Sequence, residues 1–232
     1  MKGTVQGITA VVLAVVATSV TAEIRLESFE DLSRWREVVL DTEGTPSTWD
    51  ASAAGDYLRV TSENGASMLV YEEPFDVSRT PILTWRWQAL TAVRGSDLRT
   101  QDGDDSAIRI YVSFRTPLSE RGMAGRAWAR LQRRLYGDIP PDSALSFVWA
   151  PEVPAVRSFP SPFTEELINT VPESVAPEGE WSTHQVDLLE LYRRHFGEDP
   201  PGEAYLAVFG DSDNTGNHSA ALLDYIRVLS EP

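Results

Sequence analysis

Ala204-Tyr-Leu-Ala-Val-Phe-Gly210 runs without a break into Asp211-Ser-Asp-Asn-Thr-Gly216. An apolar, β-prone run that ends in two carboxylates, an amide, two hydroxyls and a glycine reads as a strand delivering a polar loop. Gly216 permits positive φ, and the Asp, Asn and Thr side chains either bond their own backbone as a turn or converge on a ligand. Along the strand, Tyr205, Ala207 and Phe209 share one face.

Three chemistries compete for the loop. Asp211, Asp213, Thr215 and Gly216 match positions one, three, five and six of a calcium loop. Position twelve is Leu222 instead of a bidentate Glu, so a complete EF-hand is excluded while a simpler oxygen-rich cation site stays open. Phe209-Gly210-Asp211-Ser212 followed by Gly216-Asn217 looks like the nucleophile block of Gly-Asp-Ser lipases. Those enzymes carry the block near the start of the domain, with Asp and His far downstream. Here His218 is the one histidine in the sixteen residues that follow Gly216, which speaks against a serine esterase. The third reading is a self-bonded turn.

Working outward, strand signals dominate. Residues 24–29, 57–62, 68–71, 82–90, 106–114, 144–149, 181–189 and 222–229 are β-branched or aromatic-rich, several with period-two alternation, and Gly, Pro and Asx clusters separate them. Many strands without βα alternation predict an all-β, antiparallel β-sandwich, most readily a jelly roll. No repeat or low-complexity linker divides residues 23–232, which read as one domain. In 108–114 the apolar side chains occupy one face and Arg109, Tyr111 and Ser113 the other. If the strands are neighbours, Arg86, Arg109 and Tyr111 form a polar patch under the loops. Trp85 and Trp87 read as core; Trp149, at a strand end, reads as exposed.

A second acidic loop, Asp102-Gly-Asp-Asp105, precedes the Arg109 strand as Asp211 follows the Tyr205 strand. In an antiparallel pair the start of one strand lies beside the end of its neighbour. That places Asp104, Asp105, Asp211, Asp213 and Asn214 at one rim, where they must bind a cation, pair with a base or stay solvated. Two ordinary hydrophilic hairpin loops are the plainer reading.

Residues 1–22 carry Lys2, an apolar stretch and small residues at Val20 and Ala22, the pattern of a secretory leader cut after Ala22. The stretch is too short for a permanent span, so the expected destination is the periplasm or the exterior, without membrane insertion. Absence of cysteine fits export and excludes thiolate chemistry. Loss of Lys2 with the leader takes the formal charge from −15 to −16. Such a surface repels nucleic acid and anionic lipid and attracts cations.

Two helices are predicted. Leu188–Phe196 stops at Gly197 with Pro200-Pro201 beyond. The other, about Gly122–Tyr136, lines up Trp128, Leu131 and Leu135 and carries Arg126, Arg130, Arg133 and Arg134 elsewhere. It reads either as a buttress paired with the protein's own carboxylates or as a docking surface.

Residues 81–87, 103–112, 135–137, 144–149, 192–197 and 211–216 resemble, in that order, a bacterial exported family called domain of unknown function 3047. The resemblance covers nearly all of the chain after the leader and implies a jelly roll similar to galactose-binding-like and carbohydrate-binding modules. Phe29-Glu30-Asp31 and Leu223-Asp-Tyr-Ile-Arg227 look like the paired first and last strands of such modules. Where those hold a structural calcium, Glu27, Glu30 and Asp224 are the counterparts here. The Arg-rich helix, at about 116–140, is an insertion relative to a minimal module.

The leading expectation is an exported, non-enzymatic glycan binder. Asp104, Asp105, Asp211, Asp213, Asn214, Arg86 and Arg109 would meet sugar hydroxyls, Tyr111 or Trp149 a sugar face, and calcium would sit at Asp211 and Asp213, with no organic cofactor. The alternatives are a polysaccharide hydrolase or lyase, with rim carboxylates as acid and base, or Arg109, Tyr111 and His184 acting on an acidic sugar, and an envelope scaffold module that docks a protein through the Arg-rich helix.

Overall fold

The structure, a computed structural model, describes residues 23–27, 29–39, 45–52, 55–127, 130 and 141–231. The expected leader at 1–22 lies outside them, as does most of the predicted helix 122–136, of which 123–127 and 130 are described and helical.

Two sheets pack face to face. The first has the order β11 (Ser182–Asp187), β6 (Ile82–Thr91), β13 (His218–Leu229), β4 (Leu58–Glu63) and β3 (Thr48–Ala51), with β1 (Ile24–Leu26) on the distal half of β13. The second runs β2 (Trp35–Val39), β5 (Ala66–Tyr71), β12 (Glu203–Asp211), β7 (Ser106–Arg115), β8 (Ser143–Val148), β10 (Leu167–Thr170) and β9 (Ser158–Pro160). The expected jelly-roll sandwich is therefore present, and its first and last strands pair through Ile24 opposite Val228. One pair departs from the antiparallel expectation: β10 lies parallel to β8.

Period two decides which faces meet. Ile108, Ile110, Val112 and Phe114 turn inward on β7 and Leu83, Trp85, Trp87 and Ala89 on β6, all essentially without exposure. Trp85 packs on Phe147 at 5.0 Å and edge-on to Trp87 at 5.5 Å. Such rings carry a large share of core stability, about 3–5 kcal/mol each on truncation to Ala. The indole N–H groups of Trp85, Trp87 and Trp149 are buried without a hydrogen-bond partner among the described residues.

Helix α1 (Leu188–Phe196) has the predicted limits. The Asp187 carboxylate accepts from the Glu190 N–H at its start, and Gly197 ends it at φ +76°. At the end of β12 the sheets approach closely: a Cβ on Gly210 would stand 2.6 Å from Val60 Cγ2. Ser47 bridges there, its hydroxyl donating to the Gly210 carbonyl at 2.8 Å and lying 3.1 Å from Ser62 Oγ. Ser212, buried, donates to the same Ser62 oxygen, so it is a strut and not a nucleophile.

Candidate functional site

The pairing of β12 with β7 puts the two acidic loops at one rim. Asp211 stands opposite Ser106, and a register shift between Phe209 and Asp211 sets two β7 residues against Gly210. This bulge re-aims the Asp211 carboxylate. One oxygen accepts from the Ser106 N–H at 2.8 Å, the other from Arg109 Nη2 at 3.3 Å. Arg109, 1 % exposed, also donates from Nη1 to Asp104 Oδ1 at 3.0 Å and from Nη2 to the Asp104 carbonyl. Asp105 folds the other loop: its oxygens accept from the N–H of Asn214, and from the N–H and hydroxyl of Thr215, at 3.1, 2.7 and 2.5 Å.

The charges do not balance. Asp104, Asp105, Asp211 and Asp213 face the single guanidinium of Arg109, leaving three formal negative charges in excess. Burial raises the pKa of Asp211 well above the usual carboxylate range and that of Asp104 and Asp213 above it, against the pull of Arg109. Asp105, Asp211 and Asp213 each offer one oxygen, all within 4.8 Å of one another, and could hold a metal ion. This is the one such grouping among the described residues. All-oxygen donors are the set that hard divalent cations take.

Below the rim, the outer face of the larger sheet carries a polar row. Tyr111 of β7 lies opposite Ala207 of β12 on one side and Ser146 of β8 on the other, and Ser146 lies opposite Asn169 of β10. Phe159 of β9 ends the row beside Asn169, with the Arg99 guanidinium 4.4 Å over its ring. Tyr111 is half-buried and meets Phe209 edge-on at 5.7 Å. Burial pushes its phenol up to about 12, so it is a neutral donor at physiological pH. Ser146 and Asn169 have no exposure; the Ser146 hydroxyl faces the Tyr111 phenol, while both ends of the Asn169 amide lack a hydrogen-bond partner among the described residues. Sequence reasoning missed Ser146 and Asn169. The apolar neighbours of Ser146 and the shortness of β10 conceal them, and the row exists only in the cross-strand register.

Several expected site residues fall elsewhere. Arg86 projects from the outer face of the opposite sheet, 2.7 Å from Asp224 and stacked on Trp181, because neighbouring strands in sequence belong to different sheets. Trp149 is buried at 3 % exposure: it continues the inward alternation of Leu145 and Phe147 instead of leaving the strand end. Arg109, Asp104, Asp105 and Asp211 are brought together as expected, but Arg109 is taken up by Asp104 and Asp211 and Asp105 by the 214–215 turn, so they are not free to meet sugar hydroxyls. Asp213 is half-buried and Asn214 exposed. Thr215 spends its hydroxyl on Asp105, unlike a fifth-position calcium ligand. Glu27, Glu30 and Asp224 form no ligand set: Glu27 accepts from Arg227 and Asp224 from Arg86, while Glu30 is exposed. His184 sits on β11 of the other sheet, 5.2 Å from Trp85, so a lyase constellation with Arg109 and Tyr111 is not assembled. The clustered carboxylate oxygens stand closer than the roughly 5–9 Å used in glycoside hydrolysis.

Among the described residues, no helix is long and apolar enough to cross a membrane. No curated protein matches the sequence. The solved structures it is similar to include a family 11 carbohydrate-binding module from Clostridium thermocellum, in complex with a β-1,3-1,4-mixed-linked tetrasaccharide. The two share 12% identity over 89% of this chain and 95% of that one, with a TM-score of 0.43. A family 30 carbohydrate-binding module of a cellulosomal cellulase from the same organism shares 15% identity over 90% and 98%, at 0.44. A lectin from Bauhinia forficata in complex with GalNAc shares 12% over 90% and 99%, at 0.37. From residue 33 to 227 the sequence matches the family described as "Protein of unknown function (DUF3047)", and the chain belongs to that family.

Proposed function

We propose that the protein is an exported glycan-binding module whose ligand meets the outer face of the larger sheet at half-buried Tyr111 and reaches the buried Ser146 and Asn169 by displacing what covers them in the free protein. The observation that carries this is the Asn169 amide, fully buried with neither its oxygen nor its nitrogen bonded among the described residues. A buried polar group left unpaired costs about 1–3 kcal/mol, and a ligand that pairs it recovers that energy as affinity. An amide oxygen and nitrogen beside a hydroxyl call for a partner with groups that both donate and accept at short spacing, as sugar hydroxyls do. Tyr111 adds a ring for sugar C–H faces and a neutral phenol donor. Arg109 shapes the end of the row without being a ligand itself.

The cation belongs to the same reading. Calcium at Asp105, Asp211 and Asp213 would neutralise the excess charge and fix the 211–216 loop at the end of the row. Export is supported by the leader pattern and the absence of cysteine.

A neutral-glycan array followed by titration calorimetry tests the reading with calcium present. Asn169→Ala is expected to weaken binding at least about tenfold, equivalent to about 1.4 kcal/mol. Asn169→Leu separates binding from folding: it should abolish binding while melting at or above the wild-type temperature, since an apolar side chain removes the unpaired amide. Glycan binding untouched by either change, or an Asn169→Leu protein that melts well below wild type, would overturn the reading.

A further inference from the structure

The sandwich is open along one side, between β11 of the smaller sheet and the β9–β10 edge of the larger, with α1 closing one end. A cleft of about 550 Å³ occupies this mouth, on the inner side of the sheets and so separate from the Asn169 row. The volume lies in the range of small-molecule sites.

Its lining is rich in hydrogen-bond donors. Trp85, 1 % exposed, and Phe147 line the cleft. Among the described residues, the Trp85 indole N–H is buried without a partner, and so is Nε2 of His195, contributed by α1. Of the tryptophans with an unpaired N–H, Trp85 is the one that lines this cleft. Arg157, Arg194 and Glu173 also line it. Each guanidinium holds one glutamate, Arg157 with Glu173 at 2.7 Å and Arg194 with Glu190 at 2.5 Å. Five donors per guanidinium leave most free for a ligand. Two cationic groups beside one cavity stand out in a chain with formal charge −15. The hydroxyls of Ser158 and Thr170, bonded to each other at 3.0 Å, present further polar groups on the opposite wall. An apolar ligand would leave the indole and imidazole groups unpaired, and a cation would meet the remaining guanidinium N–H groups.

We infer that this cleft is a second ligand site, for a small hydroxylated carboxylate such as an acidic sugar unit. Arg157 and Arg194 take the carboxylate, and Trp85 and His195 take hydroxyls deeper in.

D-Glucuronate is the probe, with D-glucose as its neutral counterpart, observed through the indole N–H resonances of the isotope-labelled protein. Glucuronate is expected to move one of the seven tryptophan signals with saturable, millimolar-or-better affinity, while glucose at the same concentration moves none. Arg157→Gln/Arg194→Gln should weaken the response at least about tenfold. Because both arginines are in surface pairs, the double variant should melt within about 2 °C of wild type. Absence of any indole shift, an equal response to glucose, or an unchanged response in the double variant would overturn the assignment. So would loss of the response in Asn169→Ala, which would move glucuronate to the outer face. The Asn169 reading rests on neutral glycans, so either site can fail without the other.

Discussion

Arg109 shows how one side chain makes a polar loop structural. Its guanidinium replaces water for Asp104 and Asp211, and the Ser106 N–H supplies the remaining bond on Asp211. Cutting one partner from a buried pair is costlier than the pair is favourable, because the charges left behind stay desolvated. Arg109→Met is therefore expected to destabilise the protein by about 3–5 kcal/mol, read as a fall of roughly 6–20 °C in melting temperature for a chain of this size. Lowering the pH should recover part of the loss, since the abandoned carboxyls can then protonate. A melt within a degree or two of wild type would show that the cluster contributes nothing to the fold. Sequence alone placed these acids at one rim from strand polarity. It could not show that Arg109 takes up Asp104 and Asp211, because burial at a bulge depends on the register shift and not on residue type.

At the scale of elements, legibility followed the strength of the local signal. Helix α1 was readable because Asp187, Gly197 and the Pro200-Pro201 stop all agree with its apolar spacing. The long central strands β6, β7, β12 and β13 were readable because one face of each is continuously apolar. β2, β3, β9 and β10 were not: they have three to five residues each, too few to show a period, and β3 and β9 form sheet edges. Arg86 was misplaced for a related reason, since alternation reveals a side chain's face but not the sheet to which its strand belongs. Gly210 was read only as the last residue of the apolar run, yet the structure uses it for close contact between sheets. Gly210→Ala would press its Cβ into Val60 and is expected to cost about 1–3 kcal/mol as overpacking. Val60→Ala in the same chain should remove the clash, so the double variant should be less destabilised than the two single losses combined. Additive losses would mean that the sheets adjust without strain.

For the molecule as a whole, the decisive quantity is negative charge. The chain carries −15 formally, and its most concentrated buried excess lies at Asp104, Asp105, Asp211 and Asp213. Asp211 has a raised pKa in the folded state, so between the ordinary carboxylate value of about 3.9 and its folded value the folded chain holds a proton that the unfolded chain has lost. Stability from this group is present on the acid side of that window and is lost as pH rises through it. Calcium should act in the opposite sense, because it binds the deprotonated carboxylates and competes with protons. Melting curves in chelator are thus expected to rise as pH falls from 7.5 towards 5. Calcium at about a hundred times its dissociation constant should add about 2.7 kcal/mol at the upper pH, or roughly 5–11 °C, and progressively less on acidification. Asp211→Asn/Asp213→Asn distinguishes the site from diffuse surface charge, which salt screens and the two substitutions barely alter. The variant should lose the calcium increment at every pH while keeping the shallow pH slope of the remaining surface. A calcium increment that survives in the variant, or that does not shrink with acid, would place cation binding elsewhere and leave the 211–216 loop a turn held by Asp105.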